Sequence, residues 1–206
     1  MTLIVACGLK REARIFERAG VVAVIGGGDA TRLEAELEAA TERFPGIVLS
    51  CGIAGALSPV LMPGDVVVDG DPAIVGRLRR VLPSAHHGAV VGQEAVAATA
   101  IHKADLYRRS QAIAVDMESH IAGRVARRRG QPFAVLRVIS DRAMDDLPPA
   151  ALVGMRPDGG MALGAVLSSL ARDPRQLPAL VRTGRQAAEA FASLRRAFSE
   201  AARALI

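Results

Sequence analysis

Two short segments place acids where a ligand could meet them: Ala114-Val115-Asp116-Met117-Glu118-Ser119 and Arg137-Val138-Ile139-Ser140-Asp141. Carboxyl groups donate or take protons, hold sugar hydroxyls and stabilise developing cations, once burial or a charged neighbour sets their protonation. Each segment closes an apolar run, over 112–115 and over 133–139. Such runs, rich in Val and Ile and bounded by Gly, Pro and polar residues, read as buried parallel strands. Ligands of open α/β sheets sit beyond the carboxyl ends of the strands, which puts Asp116, Glu118 and Asp141 at one rim. The acids also have plain structural readings. Asp116 and Glu118 in the first turn of a helix would complement its dipole, and Asp141 could cap the next segment. Arg137 is different, because a guanidinium in an apolar strand is costly to desolvate unless a carboxylate or anion lies beside it. Glu12 alone reads as a solvent-facing helix residue, and Met117 as core.

The elements that must position these residues alternate along the chain. Strands are expected over 3–7, 21–25, 47–50, 65–69, 90–91, 112–115 and 133–139, and helices over 10–19, 31–43, 94–109 and 117–129. Asp29 or Thr31 caps the second helix, with Glu34 in its first turn, and Gly130 ends the fourth as a C′ residue. Gly26-Gly27-Gly28 reads as a turn. Cys51-Gly52-Ile53-Ala54-Gly55-Ala56 reads as a glycine-spaced loop that lets backbone approach a ligand. Beyond 139 the chain looks helical, interrupted by Pro148-Pro149, Arg156-Pro157-Asp158-Gly159-Gly160 and Asp173-Pro174. Strand–helix alternation predicts a three-layer α/β/α fold around a mainly parallel, mixed sheet. No internal repeat or low-complexity linker occurs, so residues 1–206 read as one domain.

Composition narrows the class. Half of the 206 residues are apolar, enough for one sizeable core and short for two. No apolar stretch approaches the ~20 residues of a spanning helix, and the run at 3–7 reads as a first strand rather than a secretion signal. Cys7 and Cys51 make neither a disulfide framework nor a zinc site, and a reducing cytoplasm fits them. His86, His87, His102 and His120 lack metal-ligand spacing, so no metal is expected. No strand-G-x-G-x-x-G-helix unit is present, which argues against a nicotinamide or flavin cofactor. The net charge is +5, carried by 24 Arg and only two Lys, Lys10 and Lys103. A coding bias toward Arg accounts for this as readily as an anionic partner does. With no Trp, one Tyr and five Phe, stacking platforms are scarce, and no nucleic-acid partner is expected. The tail over 171–206 is basic and amphipathic: Phe191, Leu194, Phe198, Ala201 and Leu205 form one helical stripe, with Arg185, Arg195, Arg196 and Arg203 off it. Such a stripe suits a lipid, the inner face of a membrane, a second subunit, or the helix's own domain.

Taken in order, the motifs carry a resemblance. Gly8-Leu9-x-x-Glu12-Ala13 follows the first strand; Gly52-x-Ala54-Gly55-x-Leu57 precedes Pro63-Gly64-Asp65-Val66-Val67-Val68; Val115-Asp116-Met117-Glu118-Ser119 and Arg137-x-Ile139-Ser140-Asp141 complete the set. Over about residues 3–143 this resembles the superfamily of purine nucleoside phosphorylases and methylthioadenosine/adenosylhomocysteine nucleosidases. The Asp-Met-Glu-Ser form and the Arg- and Ala-rich tail resemble its hopanoid-associated branch.

The resemblance implies cleavage of the bond between a purine and ribose. Asp141 would protonate the departing base at N7, Glu118 would hold the ribose hydroxyls, and Met117 would lie against the sugar. Glu12 would activate water, with Arg137 nearby, and Ser140 would join the substrate contacts. Gly52, Ile53 and Gly55 would line the ribose and nucleophile side. No cofactor is implied. The implied partner is a small nucleoside, free or lipid-linked, bound by a homodimer in the cytoplasm. Ile53 stands where many relatives carry a hydroxyl or small residue, which favours water over phosphate. Asp141 in place of Asn favours adenine. The segment 92–103 holds no Phe or Tyr to stack on a base. The implied activity is adenine-releasing hydrolysis, with adenosylhopane as substrate. A phosphorylase, a methylthioadenosine/adenosylhomocysteine nucleosidase and a catalytically silent nucleoside- or lipid-binding module are the alternatives.

Overall fold

The computed structural model describes residues 2–153, 159–160 and 162–206. Eight strands form one sheet: β1 (Thr2–Cys7), β2 (Val21–Ile25), β3 (Gly46–Ala56), β4 (Val66–Gly70), β5 (His86–His87), β6 (Val90–Gly92), β7 (Ala114–Asp116) and β8 (Phe133–Asp141). The helices are α1 (Lys10–Phe16), α2 (Ala30–Arg43), α3 (Pro72–Val81), α4 (Ala100–Ser110), α5 (Ser119–Arg129), α6 (Pro149–Leu152), α7 (Leu163–Arg172) and α8 (Leu177–Leu205). Strand order is β2-β1-β3-β8-β4-β5, and the first four of these run parallel. Against β8, β4 runs antiparallel, and β7 pairs antiparallel with the far half of β3 while β6 runs parallel to β7. The expected mixed, mainly parallel sheet is therefore present.

Alternation along the central strands explains the three layers. In β1, Leu3, Val5 and Cys7 face a core built with α1, α3 and α8, whereas Ile4 and Ala6 face a core built with α2 and α5. Both faces of the strand are covered, so its sequence is continuously apolar. The stripe on α8 belongs to the first core. Phe191, Leu194, Phe198, Ala201 and Leu205 are all buried, and the Phe198 ring lies 4.5 Å from that of Phe16. Each buried Phe or Leu is worth about 1.5–3 kcal/mol, so the stripe contributes to the stability of this core. Of the four occupants open to the stripe, the helix's own domain takes it. Among the described residues no helix is long and apolar enough to cross a membrane.

Several local expectations are corrected. Residues 51–56 are not a loop: β3 runs through them, pairing Cys51 with Leu136 through Ala54 with Ile139 on β8 before a bulge between Ala54 and Gly55. The helix expected from 94 begins only at Ala100, where Thr99 Oγ1 accepts from His102 N at 3.2 Å. Helix α1 stops at Phe16 rather than 19, and α5 starts at Ser119 with Glu118 as its N-cap residue. Asp29, not Thr31, caps α2, and Glu34 lies past the first turn, where it pairs with Arg124 and Arg128 of α5. Helix α3, absent from the sequence reading, starts after Asp71 with Pro72 at its first position. Gly130 ends α5 in the left-handed region, as expected. Of the interruption expected over 156–160, Arg156, Pro157 and Asp158 lie outside the described residues.

Candidate active site

The turn after β1, the far half of β3, the β7–α5 junction and the end of β8 enclose a cavity of about 210 Å³. Acids reach it from three sides: Glu12 from α1, Asp116 and Glu118 from the β7–α5 junction, and Asp141 from β8. All four are at most 7 % exposed. Because β7 runs antiparallel to β3, its end turns back toward the middle of the sheet, which brings Asp116 and Glu118 within reach of β8.

Arg137 organises this side of the site. It is completely buried, and its Nε lies 2.6 Å from Asp116 Oδ2 as an ion pair without hydrogen-bond alignment. Its Nη2 donates to Glu118 Oε2 at 3.0 Å and to Ser50 Oγ at 2.6 Å. The other Asp116 oxygen accepts from Ser119 N and Oγ, at 3.1 and 2.6 Å, so this acid both holds the arginine and caps α5. Arg137 does not line the cavity; it stands behind the acids as their counter-ion. The desolvation argument made from the sequence requires such a partner, and the fold supplies two.

Glu12 is fixed by three main-chain donors. Oε2 accepts from Gly8 N at 2.9 Å and Leu9 N at 2.8 Å, and Oε1 accepts from Ile53 N at 2.8 Å. Burial pushes its pKa up, against the pull of Arg137 and these N–H groups. Glu118 is pushed up to about 7, again chiefly by burial, with Arg137 opposing and the charges of Asp116 and Glu12 adding to the rise. Gly52 has no room for a side chain: a Cβ there would overlap Glu12 Oε1 and approach Arg137 Nη1 to 2.7 Å. Gly52 therefore backs the acids, while Ile53, Gly55 and Met117 face the cavity.

At the end of β8, Asp141 accepts from Ser140 Oγ at 2.7 Å on Oδ1 and contacts the ammonium of Lys103 with Oδ2. Sequence reasoning missed Lys103. Its signal was compositional, one of two lysines among 26 basic residues. It also missed Gly8 and the wall formed by Ala95, Val96, Ala97 and Leu147. That wall is aliphatic, so the missing aromatic platform noted over 92–103 has no replacement on it. The four histidines lie off the cavity lining, and His120 packs beside Gly92. Among the described residues no three His, Cys, Asp or Glu side chains are placed to hold a metal ion.

Solved structures share this architecture at low identity. The 5′-methylthioadenosine/S-adenosylhomocysteine nucleosidase of Neisseria meningitidis, in complex with methylthio-immucillin-A, superposes with a TM-score of 0.73 at 15% identity, covering 99% of both chains. Futalosine hydrolase of Helicobacter pylori gives 0.67 at 14% identity, covering 98% of this chain and 97% of that one. The S-adenosylhomocysteine nucleosidase of Streptococcus pyogenes, in complex with 5-methylthiotubericidin, gives 0.63 at 17%, covering 89% and 95%. These likenesses establish the fold. No curated protein sequence matches. The sequence model of the Phosphorylase superfamily matches residues 69–172, which include Asp116, Glu118, Arg137 and Asp141 and amount to half the chain, and the protein belongs to that superfamily.

Proposed function

We propose that this protein is an adenine-releasing N-ribosyl hydrolase whose substrate is adenosylhopane. The observation that carries the reading is that Asp141, Glu12 and Glu118 line one cavity. In the proposed reaction Asp141 gives its proton to purine N7 as the C1′–N9 bond breaks and its electron pair leaves with the base. Glu118 accepts hydrogen bonds from the ribose hydroxyls and stabilises the cation-like sugar. Glu12 takes a proton from water as the water oxygen bonds to C1′. Superfamily membership and the names of the structural neighbours, two nucleosidases and a hydrolase, support hydrolysis of a nucleoside. Ile53 supports water over phosphate, because its side chain offers no hydrogen-bond donor.

The finer assignment rests on the resemblance to the hopanoid-associated branch. At about 210 Å³ the cavity lies below the roughly 300–1,000 Å³ of drug-sized sites, so a large 5′ substituent must extend beyond it. Val96 at the wall and Met144, three residues beyond Asp141, are exposed apolar side chains of the sort such a substituent would meet. A homodimer in the cytoplasm is part of the same proposal. Exposed Leu163, Leu167, Leu177 and Val181 offer apolar surface to a second copy.

Incubation with adenosylhopane and with methylthioadenosine, each with and without phosphate, tests the reading. Phosphate-independent release of adenine and a free ribosyl product, faster from adenosylhopane, is expected. Strict phosphate dependence with a ribose 1-phosphate product would replace the hydrolase by a phosphorylase. Binding without turnover would replace both by a silent binding module.

A further inference from the structure

A second buried cation stands behind the cavity, and the reaction proposed above does not use it. Lys103, in the first turns of α4, is completely buried. Its Nζ contacts Asp141 Oδ2 and donates to the main-chain oxygens of Arg142 at 2.9 Å and Asp145 at 3.0 Å. An ammonium has three N–H donors and no acceptor. Here each donor has one oxygen, so the ammonium's hydrogen bonding is complete, and Asp141 Oδ2 serves as one acceptor whether or not the carboxyl carries a proton on its other oxygen.

The order of groups is directional. Asp141 lines the cavity and Lys103 does not, so the carboxyl lies between the ammonium and the space a base would occupy. Ser140 holds the other oxygen of the same carboxyl. Lys103 also ties α4 to the turn after β8, and the neighbouring hydrogen bonds Leu147 N to Ala98 O (2.8 Å) and Ala100 N to Asp146 Oδ1 (2.7 Å) close the same wall. Residue type follows from this geometry. Three acceptors converging on one point suit a compact ammonium, whereas the planar fork of Arg spreads its donors. A chain that otherwise uses Arg at 24 of 26 basic positions has Lys here.

We propose that Lys103 is a positioning residue for Asp141, orienting its carboxyl toward the base and holding the carboxylate that proton transfer leaves behind. The proposal rests on Asp141 being the general acid of the reading above. In that step the Asp141 O–H bond breaks, the N7–H bond forms and the C1′–N9 pair stays on the purine. Lys103 keeps its three protons throughout and neutralises the new anion, an interaction strengthened by the low dielectric around it.

Two leaving groups and a double-mutant cycle test it. The wild type, Lys103→Met, Asp141→Asn and the double variant are assayed on 5′-methylthioadenosine, whose base leaves with a proton. The same four are assayed on p-nitrophenyl β-ribofuranoside, whose leaving group needs none. Lys103→Met should lower kcat on methylthioadenosine about a hundred-fold, with KM little changed, as expected for a misplaced reacting group. It should slow the p-nitrophenyl substrate far less, and in the double variant it should add nothing to the loss from Asp141→Asn. Equal losses on both substrates, or losses that multiply in the double variant, would make Lys103 a structural residue only and overturn the proposal. Where circular dichroism shows Lys103→Met unfolded, Lys103→Gln, which keeps an N–H donor without the charge, is read by the same criteria. Turnover indifferent to Asp141→Asn would refute the general acid itself; a loss there with none at Lys103 would refute only the part given to Lys103.

Discussion

Replacing Arg137 with Met removes the one cation shared by Asp116 and Glu118 while keeping most of the side-chain volume. The three side chains are 1 %, 1 % and 10 % exposed, so water cannot take the arginine's place. Breaking a buried ion pair by removing one partner costs about 3–5 kcal/mol. For a domain of this size each kcal/mol moves Tm by roughly 2–4 °C, so a fall of about 6–20 °C is expected. The loss should depend on pH in a definite direction. Without Arg137 the pull that opposes burial at Glu118 is gone, so its folded pKa, already raised, rises further above the unfolded value. The folded state then binds more protons than the unfolded state, and stability falls as pH rises. Urea denaturation of both proteins at about pH 5.5 and about pH 8 should therefore show the larger penalty at the higher pH, and adding Glu118→Gln should recover part of it. A penalty below about 1 kcal/mol at pH 8, or one independent of pH, would refute the view that Arg137 is a buried counter-ion rather than a substituent of the cavity wall.

Other perturbations probe the remaining parts. In the wild type, Glu118 is pushed from 4.5 up to about 7, so Tm should fall as pH rises from about 4.5 through about 7; Glu118→Gln should flatten that slope, leaving the part contributed in the same direction by Glu12. Asp141→Asn should leave Tm nearly unchanged and cut adenine release about a hundred- to ten-thousand-fold, measured by release of the free base. Glu12→Gln should abolish hydrolysis while adenine nucleoside binding stays measurable by calorimetry; retained turnover would remove Glu12 from water activation. Phe198→Ala, which removes a buried ring packed at a tilt against Phe16, should cost about 3–5 kcal/mol in urea denaturation.

The fold was legible wherever burial on both faces leaves a direct mark on the sequence. Strands β1 and β8 are such places, and strand–helix alternation then leaves few topologies open. The failures have physical causes. Glycine usually marks a loop, but Gly52 and Gly55 are strand positions whose missing side chains make room for Glu12, Arg137 and Asp141. The Ala- and Val-rich stretch before Ala100 has helical composition, yet contacts such as Leu147 N to Ala98 O hold it as cavity wall. Tertiary partners there override local propensity.

Within the site, the residues differ in how far their own chemistry betrays them. A guanidinium in an apolar strand demands a carboxylate, so the pairing of Arg137 follows from desolvation alone. Glu12 makes no comparable demand. Its partners are main-chain N–H groups, one of them 41 residues away at Ile53, and no side-chain pattern records a backbone donor. Lys103 sits between these cases. Helical periodicity puts it on a helix near charged and polar neighbours and suggests nothing, since a lysine there ordinarily faces water. Its burial follows from what lies at the end of β8: a carboxyl and two main-chain oxygens converging on one point need three protons from a single atom. Of the common side chains only lysine supplies them. In a chain that otherwise uses arginine almost throughout, that stereochemical requirement accounts for the residue type as well as its place.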